Sequence, residues 1–194
     1  MAFKITFSLD EQDSKYFMDL YRTAKQNAKQ EDAPRVMGEV RSLISRVRAA
    51  TKVPNFVAEA ITTLEDLMQM LEDKDYGLPQ KVAESAVAGL AYFANPQDAI
   101  PDHIPALGFL DDAIMISFVA QEFRHELWAY RKFRGFRTGA EQRPWTSVAQ
   151  DRMPKRLEGY RRELREKVAE KVQADKARSA KPVRIMRTVF GYFS

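Results

Sequence analysis

Apolar residues recur at intervals of three and four along most of the chain, the spacing of one face of an α-helix. Phe17, Leu20, Tyr21 and Ala24 define such a face between about 10 and 29. Ahead of it, Ser8 and Glu11 have the form of a capping box, with Ser8 as N-cap. Pro34 suits the first turn of a second helix, where Val36, Val40, Leu43, Ile44 and Val47 keep the period to about Ala50. A third helix starts near Pro54. Its Val57, Ala60, Ile61, Leu64, Leu67, Met68 and Leu71 fall on one stripe, and Asp73, Asp75 and Gly77 mark its end. The fourth, from about Pro79 to Ala94, is apolar on nearly every side after Ala86, which predicts a central position. The fifth, from about Phe109 to Phe133, is apolar in its first half and amphipathic in its second. Only Lys4-Ile5-Thr6-Phe7 has strand character, and it is too short to found a sheet.

The last third of the chain has a different pattern. Gly135, Gly139 and Pro144 predict a linker over 135–153. A sixth helix, about Pro154 to Arg178, carries Leu157, Tyr160, Leu164, Val168 and Val172 on a narrow stripe, with Arg, Lys and Glu crowding its other faces. Pro182 then interrupts the chain. The tail that follows mixes Arg184 and Arg187 with Ile185, Met186, Val189, Phe190, Tyr192 and Phe193. Together these patterns predict an all-α fold. A bundle of about five helices occupies 1–134, with the fourth and fifth as a central hairpin, and a long basic C-terminal helix and tail occupy 154–194.

The segment between the fourth and fifth helices is unusual in composition. Pro96, Pro101 and Pro105 each fix φ and disfavour helix in the residue before them. Asp98 and Asp102 are suited to accept hydrogen bonds from nearby backbone N–H groups and close tight turns. Gly108 is free to take a positive φ. Asp111 and Asp112 fall at a helix start, where the helix dipole favours negative charge. Ile100, Ile104 and Leu107 alternate with these polar residues and are placed to pin the segment to the core. The expected result is a stiff elbow between two apolar helices.

In these residues the chain resembles the YkvA-like family, a domain of unknown function. The family signature is an apolar helix ending in Tyr-Phe, then Pro-x-Asp-x-Ile-Pro-Asp-x-Ile-Pro-x-x-Gly-x-Leu-Asp-Asp. It is met by Tyr92, Phe93, Pro96, Asp98, Ile100, Pro101, Asp102, Ile104, Pro105, Gly108, Leu110, Asp111 and Asp112. The resemblance covers roughly 83–120. Gln97 and His103 depart from it, standing where an apolar residue is common, which argues against this segment facing lipid as it would in family members that carry membrane spans. The resemblance implies kinship and brings no established activity.

Composition narrows the chemistry. Cysteine is absent, which excludes disulfides, thiolate metal sites and cysteine nucleophiles and fits a reducing cytoplasm. No apolar core follows Met1-Ala2-Phe3-Lys4, so no signal peptide is expected. The most apolar stretches, Ala86 to Ala94 and Ala113 to Ala120, fall far short of the roughly 18 residues a spanning helix needs. The net charge of +4 is unevenly spread. Up to Val119 there are 12 Lys and Arg against 18 Asp and Glu; from Ala120 onward there are 19 against 9. A basic end on an acidic body suits an anionic partner, and equally a solvated helix paired on its own body.

Three readings of function follow. The leading one is a non-enzymatic interaction or scaffold protein of the cytoplasm, acting either peripherally at the inner face of a membrane or in an oligomer, with a protein partner or a second copy of itself. Arg161, Arg162, Arg165, Arg184 and Arg187 are its candidate contacts for an anionic surface. The alternative is a metal-dependent enzyme or metal-binding protein. Asp98, Asp102, Asp111 and Asp112, with His103 among them, offer the hard donors that suit Mg²⁺, Mn²⁺ or Ca²⁺; no other cofactor is expected. Each of these carboxylates is also ordinary turn or helix-cap chemistry. The third reading is nucleic-acid binding by the basic C-terminal helix, with no recognised DNA-binding motif beside it. Glu122 and His125 form half of a di-metal bundle motif that lacks its second half; the plainer expectation is a polar helix face on which Glu122, Arg124 and Glu126 make surface pairs. No nucleophile elbow, Walker loop or dinucleotide fingerprint occurs.

Overall fold

A computed structural model describes residues 10–28, 32–51, 53–94, 108–141 and 152–178. Among the described residues the fold is all-α, with seven helices: α1 (Glu11–Asn27), α2 (Ala33–Ala49), α3 (Asn55–Glu72), α4 (Gln80–Leu90), α5 (Leu110–Glu122), α6 (Arg124–Glu141) and α7 (Met153–Arg178). The strand-like residues 4–7, the proline elbow 95–107 and the tail after 178 lie outside the described residues.

The chain groups into two compact units, neither continuous in sequence. Among the described residues one contains those within 10–61 and 87–119, and the other those within 62–86 and 120–178. In the first unit α1 and α2 both pack against the 3-10 turn Ala91–Ala94 that follows α4. Val36, Val40, Leu43 and Val47 line the buried face of α2, each stabilising the fold by about 1.5–3 kcal/mol relative to leaving it exposed. Arg35 of α2 donates from Nη2 to the Ala94 carbonyl oxygen at 3.2 Å, capping the end of that turn. A tightened last turn is common at helix ends, and Pro96 two residues on cannot continue the helix.

Two helix boundaries differ from those the sequence pattern predicts. The N-cap of α1 is Asp10, not Ser8. Its carboxylate accepts from the Gln12 and Asp13 backbone N–H groups at 2.7 and 2.8 Å, and Asp13 accepts in return from the Asp10 N–H at 3.1 Å. The expected fifth helix breaks at Phe123, and its second part runs on to Glu141. Gly135 and Gly139, expected in the linker, are therefore helical. Each glycine costs a helix about 1 kcal/mol; buried Phe133 and Ala140 on the same helix offset this.

The second unit is built on α6 and α7, which pack along one another. Phe136 faces Tyr160 at 4.4 Å between ring centres. Farther along, Lys171 stands 4.6 Å over the Trp128 ring, and Asp175 meets His125. Residue numbers fall on α7 as they rise on α6, so the pair is antiparallel. Leu164 and Val168 are the buried part of the α7 stripe. The C-terminal helix is therefore part of a compact unit rather than a separate arm.

Candidate functional site

Of the motif residues that can be placed, Gly108, Asp111 and Asp112 are buried, and Tyr92, Phe93 and Leu110 are half-buried. Gly108 precedes α5 and is buried. Asp111 and Asp112 occupy the first turn of α5 and are 2% and 7% exposed. They are followed by Ala113, Ile114, Met115, Ile116, Phe118 and Val119, all buried, so α5 is enclosed on almost every side. Charge at that depth is tolerable at a helix N-terminus, where unpaired N–H groups and the dipole offset its desolvation. On the other side of the elbow Tyr92 and Phe93 meet edge to face at 5.4 Å. Asp98, Asp102, His103, Pro96, Pro101 and Pro105 lie outside the described residues. Among the described residues no group of three His, Asp or Glu converges on one point.

A second polar arrangement, not expected from the sequence, runs through the other compact unit. The turn after α3 is tied from several sides. Asp73 Oδ1 accepts from the Asp75 and Tyr76 backbone N–H groups, both at 3.0 Å. The same carboxylate takes a two-pronged bond from Arg137, with Nη1 to Oδ1 at 3.0 Å and Nη2 to Oδ2 at 2.7 Å, and the Tyr130 hydroxyl at 3.3 Å. Burial alone would raise the Asp73 carboxyl. The Arg137 fork, the Tyr76 N–H and the Tyr130 hydroxyl outweigh burial and hold it below its ordinary value. Burial, with the Asp73 charge beside it, pushes the Tyr130 hydroxyl up to about 12.

Beside this lies a second knot. Tyr76 is wholly buried and its hydroxyl donates to Glu126 Oε2 at 3.0 Å. Arg165 of α7 donates from Nη1 to the same oxygen at 2.6 Å, and from Nη2 to the Tyr76 and Gly77 carbonyl oxygens at 3.4 and 3.3 Å. One turn earlier Arg161 donates from Nη1 to the Asp75 carbonyl oxygen at 3.0 Å. Gly77 holds φ at +56°, and a Cβ there would stand 3.1 Å from Arg161 Nη1. Burial first, and the Glu126 charge second, raise the Tyr76 hydroxyl well above its ordinary value.

A third group sits farther back along α3. Asp66, 6% exposed, accepts from Arg131 Nε at 2.6 Å and from Arg134 Nη1 at 2.7 Å. Arg134 Nη1 also donates to Gln69 Oε1 at 2.7 Å.

These positions revise two expectations. Arg161 donates one nitrogen to the turn after α3, and Arg165 spends both terminal nitrogens there and on Glu126, so Arg165 would have to give up bonds to reach an external anion. Arg162 is exposed on α7, and Arg184 and Arg187 lie outside the described residues. The expected surface pairing of Glu126 is replaced by the buried knot with Tyr76 and Arg165. His125 Nε2 lies 2.6 Å from Asp175 Oδ2, with Arg124 on the same carboxylate. The His125 bond first, then Arg124, lowers the Asp175 carboxyl. Glu122 lies within 3.5 Å of the Ser85 hydroxyl. Two cues to this network were present in the sequence. Asp66 interrupts the apolar stripe of α3 between Leu64 and Leu67, and Arg131, Arg134 and Arg137 recur at intervals of three.

The fold and these two polar clusters define an all-α protein with a deeply buried Asp-Asp helix start in one compact unit and an arginine–carboxylate seam in the other. The profile of a family described as a protein of unknown function (DUF1232) matches residues 85–118, the segment that spans the elbow. The uncharacterized membrane protein YkvA of Bacillus subtilis (strain 168) is 35% identical over 75 residues, which are 38% of this chain and 71% of that protein. The chain belongs to the YkvA-like family. No solved structure matches it.

Proposed function

We propose that this chain is a non-catalytic interaction protein that docks peripherally on an anionic membrane surface, on the cytoplasmic side, through its basic last third. The observation that carries the reading is the outward face of α6 and α7. Lys132 of α6 and Lys155, Arg162, Lys176 and Arg178 of α7 are exposed, as is Arg152 just before α7, alongside exposed Glu158, Glu163, Glu166 and Glu170. Such cations gain about 1 kcal/mol each near an anionic leaflet. The relative in Bacillus subtilis carries the description of a membrane protein. No described helix of this chain is long and apolar enough to cross a membrane, so contact at the surface is the form of association that the described helices support. Flotation with vesicles tests the reading. Salt-sensitive binding to vesicles containing phosphatidic acid, and none to phosphatidylcholine alone, is expected; equal absence from both would overturn it. Retention of nucleic acid in a gel shift without vesicle binding would favour the third reading instead.

The divalent-cation reading ranks second. It rests on the burial of Asp111 and Asp112 side by side in the family segment, which helix-start electrostatics account for equally well. A rise in melting temperature with Mg²⁺, Mn²⁺ or Ca²⁺ that is lost in Asp112→Asn would bring it forward.

A further inference from the structure

Resting on the membrane-surface reading, we infer that Arg131 and Arg134 form a pre-set site for a phosphate oxyanion, held in place by Asp66. The two arginines lie one turn apart on α6 and share a single buried carboxylate. Arg131 spends Nε on it, leaving both terminal nitrogens, and Arg134 spends Nη1, leaving Nε and Nη2. Their side chains are 47% and 39% exposed, while that of Asp66 is only 9% exposed. The anchor is thus inside and the remaining donors are at the surface. Gln69 on Arg134 Nη1 and the Tyr130 ring 5.7 Å from its guanidinium carbon fix that side chain further. Two guanidinium charges against one carboxylate leave a net positive charge, and exposed Lys132 adds to it. Gly135, exposed one turn after Arg131, has nothing within 4 Å of where a Cβ would stand, so the space beside the pair is open.

Free arginine side chains lose rotamer freedom when they grip an anion. Here the buried carboxylate has already taken that loss during folding, and the planar fork matches a phosphate's oxygens. The ligand is a phosphate monoester or diester, from a lipid headgroup or from a soluble phosphate.

The discriminating variant is Asp66→Asn. It makes the protein more positive by one charge, so simple charge attraction predicts tighter binding, whereas loss of the anchor predicts weaker binding. The full-length protein would be titrated with phosphatidylcholine vesicles carrying phosphatidic acid, and separately with inorganic phosphate, with circular dichroism confirming the fold. The expected result is affinity lower by about fivefold or more in D66N. Equal or tighter binding overturns the inference and leaves the membrane reading standing. Binding of phosphate but not of vesicles, weakened in D66N, upholds the site with a soluble source and removes the membrane reading. Binding of neither by the wild type removes both. Should D66N fail to fold, the double variant Arg131→Lys with Arg134→Lys keeps the charge and loses the forks; weaker binding then supports the site and unchanged binding overturns it.

Discussion

The Arg165 guanidinium carbon stands 4.3 Å from the centre of the Tyr76 ring, while its Nη1 lies 3.2 Å from the Tyr76 hydroxyl oxygen. One cation thus covers the face of the ring, touches its edge and neutralises Glu126 beyond it. Stacking on an aromatic ring and a charge-assisted bond are both geometries that suit arginine rather than lysine. Replacing Arg165 with leucine leaves Glu126, 12% exposed, without its counter-charge. Breaking a fully buried pair costs about 3–5 kcal/mol; the 22% exposure of Arg165 lowers the expectation to about 2–3 kcal/mol. Urea denaturation measures it. Adding Glu126→Gln to that variant should recover part of the loss, and a double variant as unstable as the sum of its singles would contradict the pairing.

The Asp73–Arg137 fork predicts the acid limb of stability. The Asp73 carboxyl sits below its unfolded value of 3.8. Its contribution is therefore complete above that value and disappears as pH falls through the folded value. Asp73→Asn should lower stability at neutral pH and make the remaining acid dependence shallower than that of the wild type. Parallel curves for the two proteins between pH 5 and pH 2 (an ordinary acid-titration range) would count against the fork.

At the alkaline end the sign is opposite. The Tyr130 hydroxyl moves from 10.0 to about 12 on folding, so its contribution is whole below pH 10 and fades as pH climbs toward 12. Tyr130→Phe removes the titrating group and should flatten the stability curve in that window. Absorbance titration of tyrosinate in the wild type should show at least this ring ionising late.

Gly77 stands alone among the described glycines in holding a positive φ. An alanine there meets both the left-handed backbone cost and Arg161 Nη1 at 3.1 Å. Gly77→Ala should destabilise the protein by about 1–2 kcal/mol. Because the neighbour is the tip of a flexible side chain, Arg161→Ala on top of it should relieve only the steric part. A neutral Gly77→Ala in a thermal melt would show that the turn can rearrange.

Much of the helical framework was legible because burial repeats locally. Val36, Val40, Leu43 and Val47 are all buried, as their spacing predicts, and α3 ends at the Asp73–Gly77 turn where the cap signals fall. What was not legible depends on partners far away in sequence. Asp66 meets arginines 65 and 68 residues on, and no local period encodes such pairing. A lone carboxylate in an apolar stripe looks like the edge of the exposed face until its partners are placed. At the start of α1 two overlapping capping boxes competed, Ser8 with Glu11 and Asp10 with Asp13; the aspartate pair prevails, its carboxylate taking two backbone N–H groups at once. Gly135 and Gly139 resemble a linker by propensity, and packing overrides propensity of that size. The arginines of α7 were legible as cations; that Arg161 and Arg165 share the side of Leu164 and Val168 was a cue to their inward contacts, but their partners at 75–77 and 126 are far away in sequence.

The turn at Tyr76 waits for a residue 89 positions later in the chain. On a ribosome, therefore, this unit emerges with Tyr76 and Glu126 already made and their guanidinium still unsynthesised. Until α7 clears the exit tunnel, Glu126 has no guanidinium to neutralise it and the Tyr76 ring no cation over its face, so this turn can be completed only after α7 has been made.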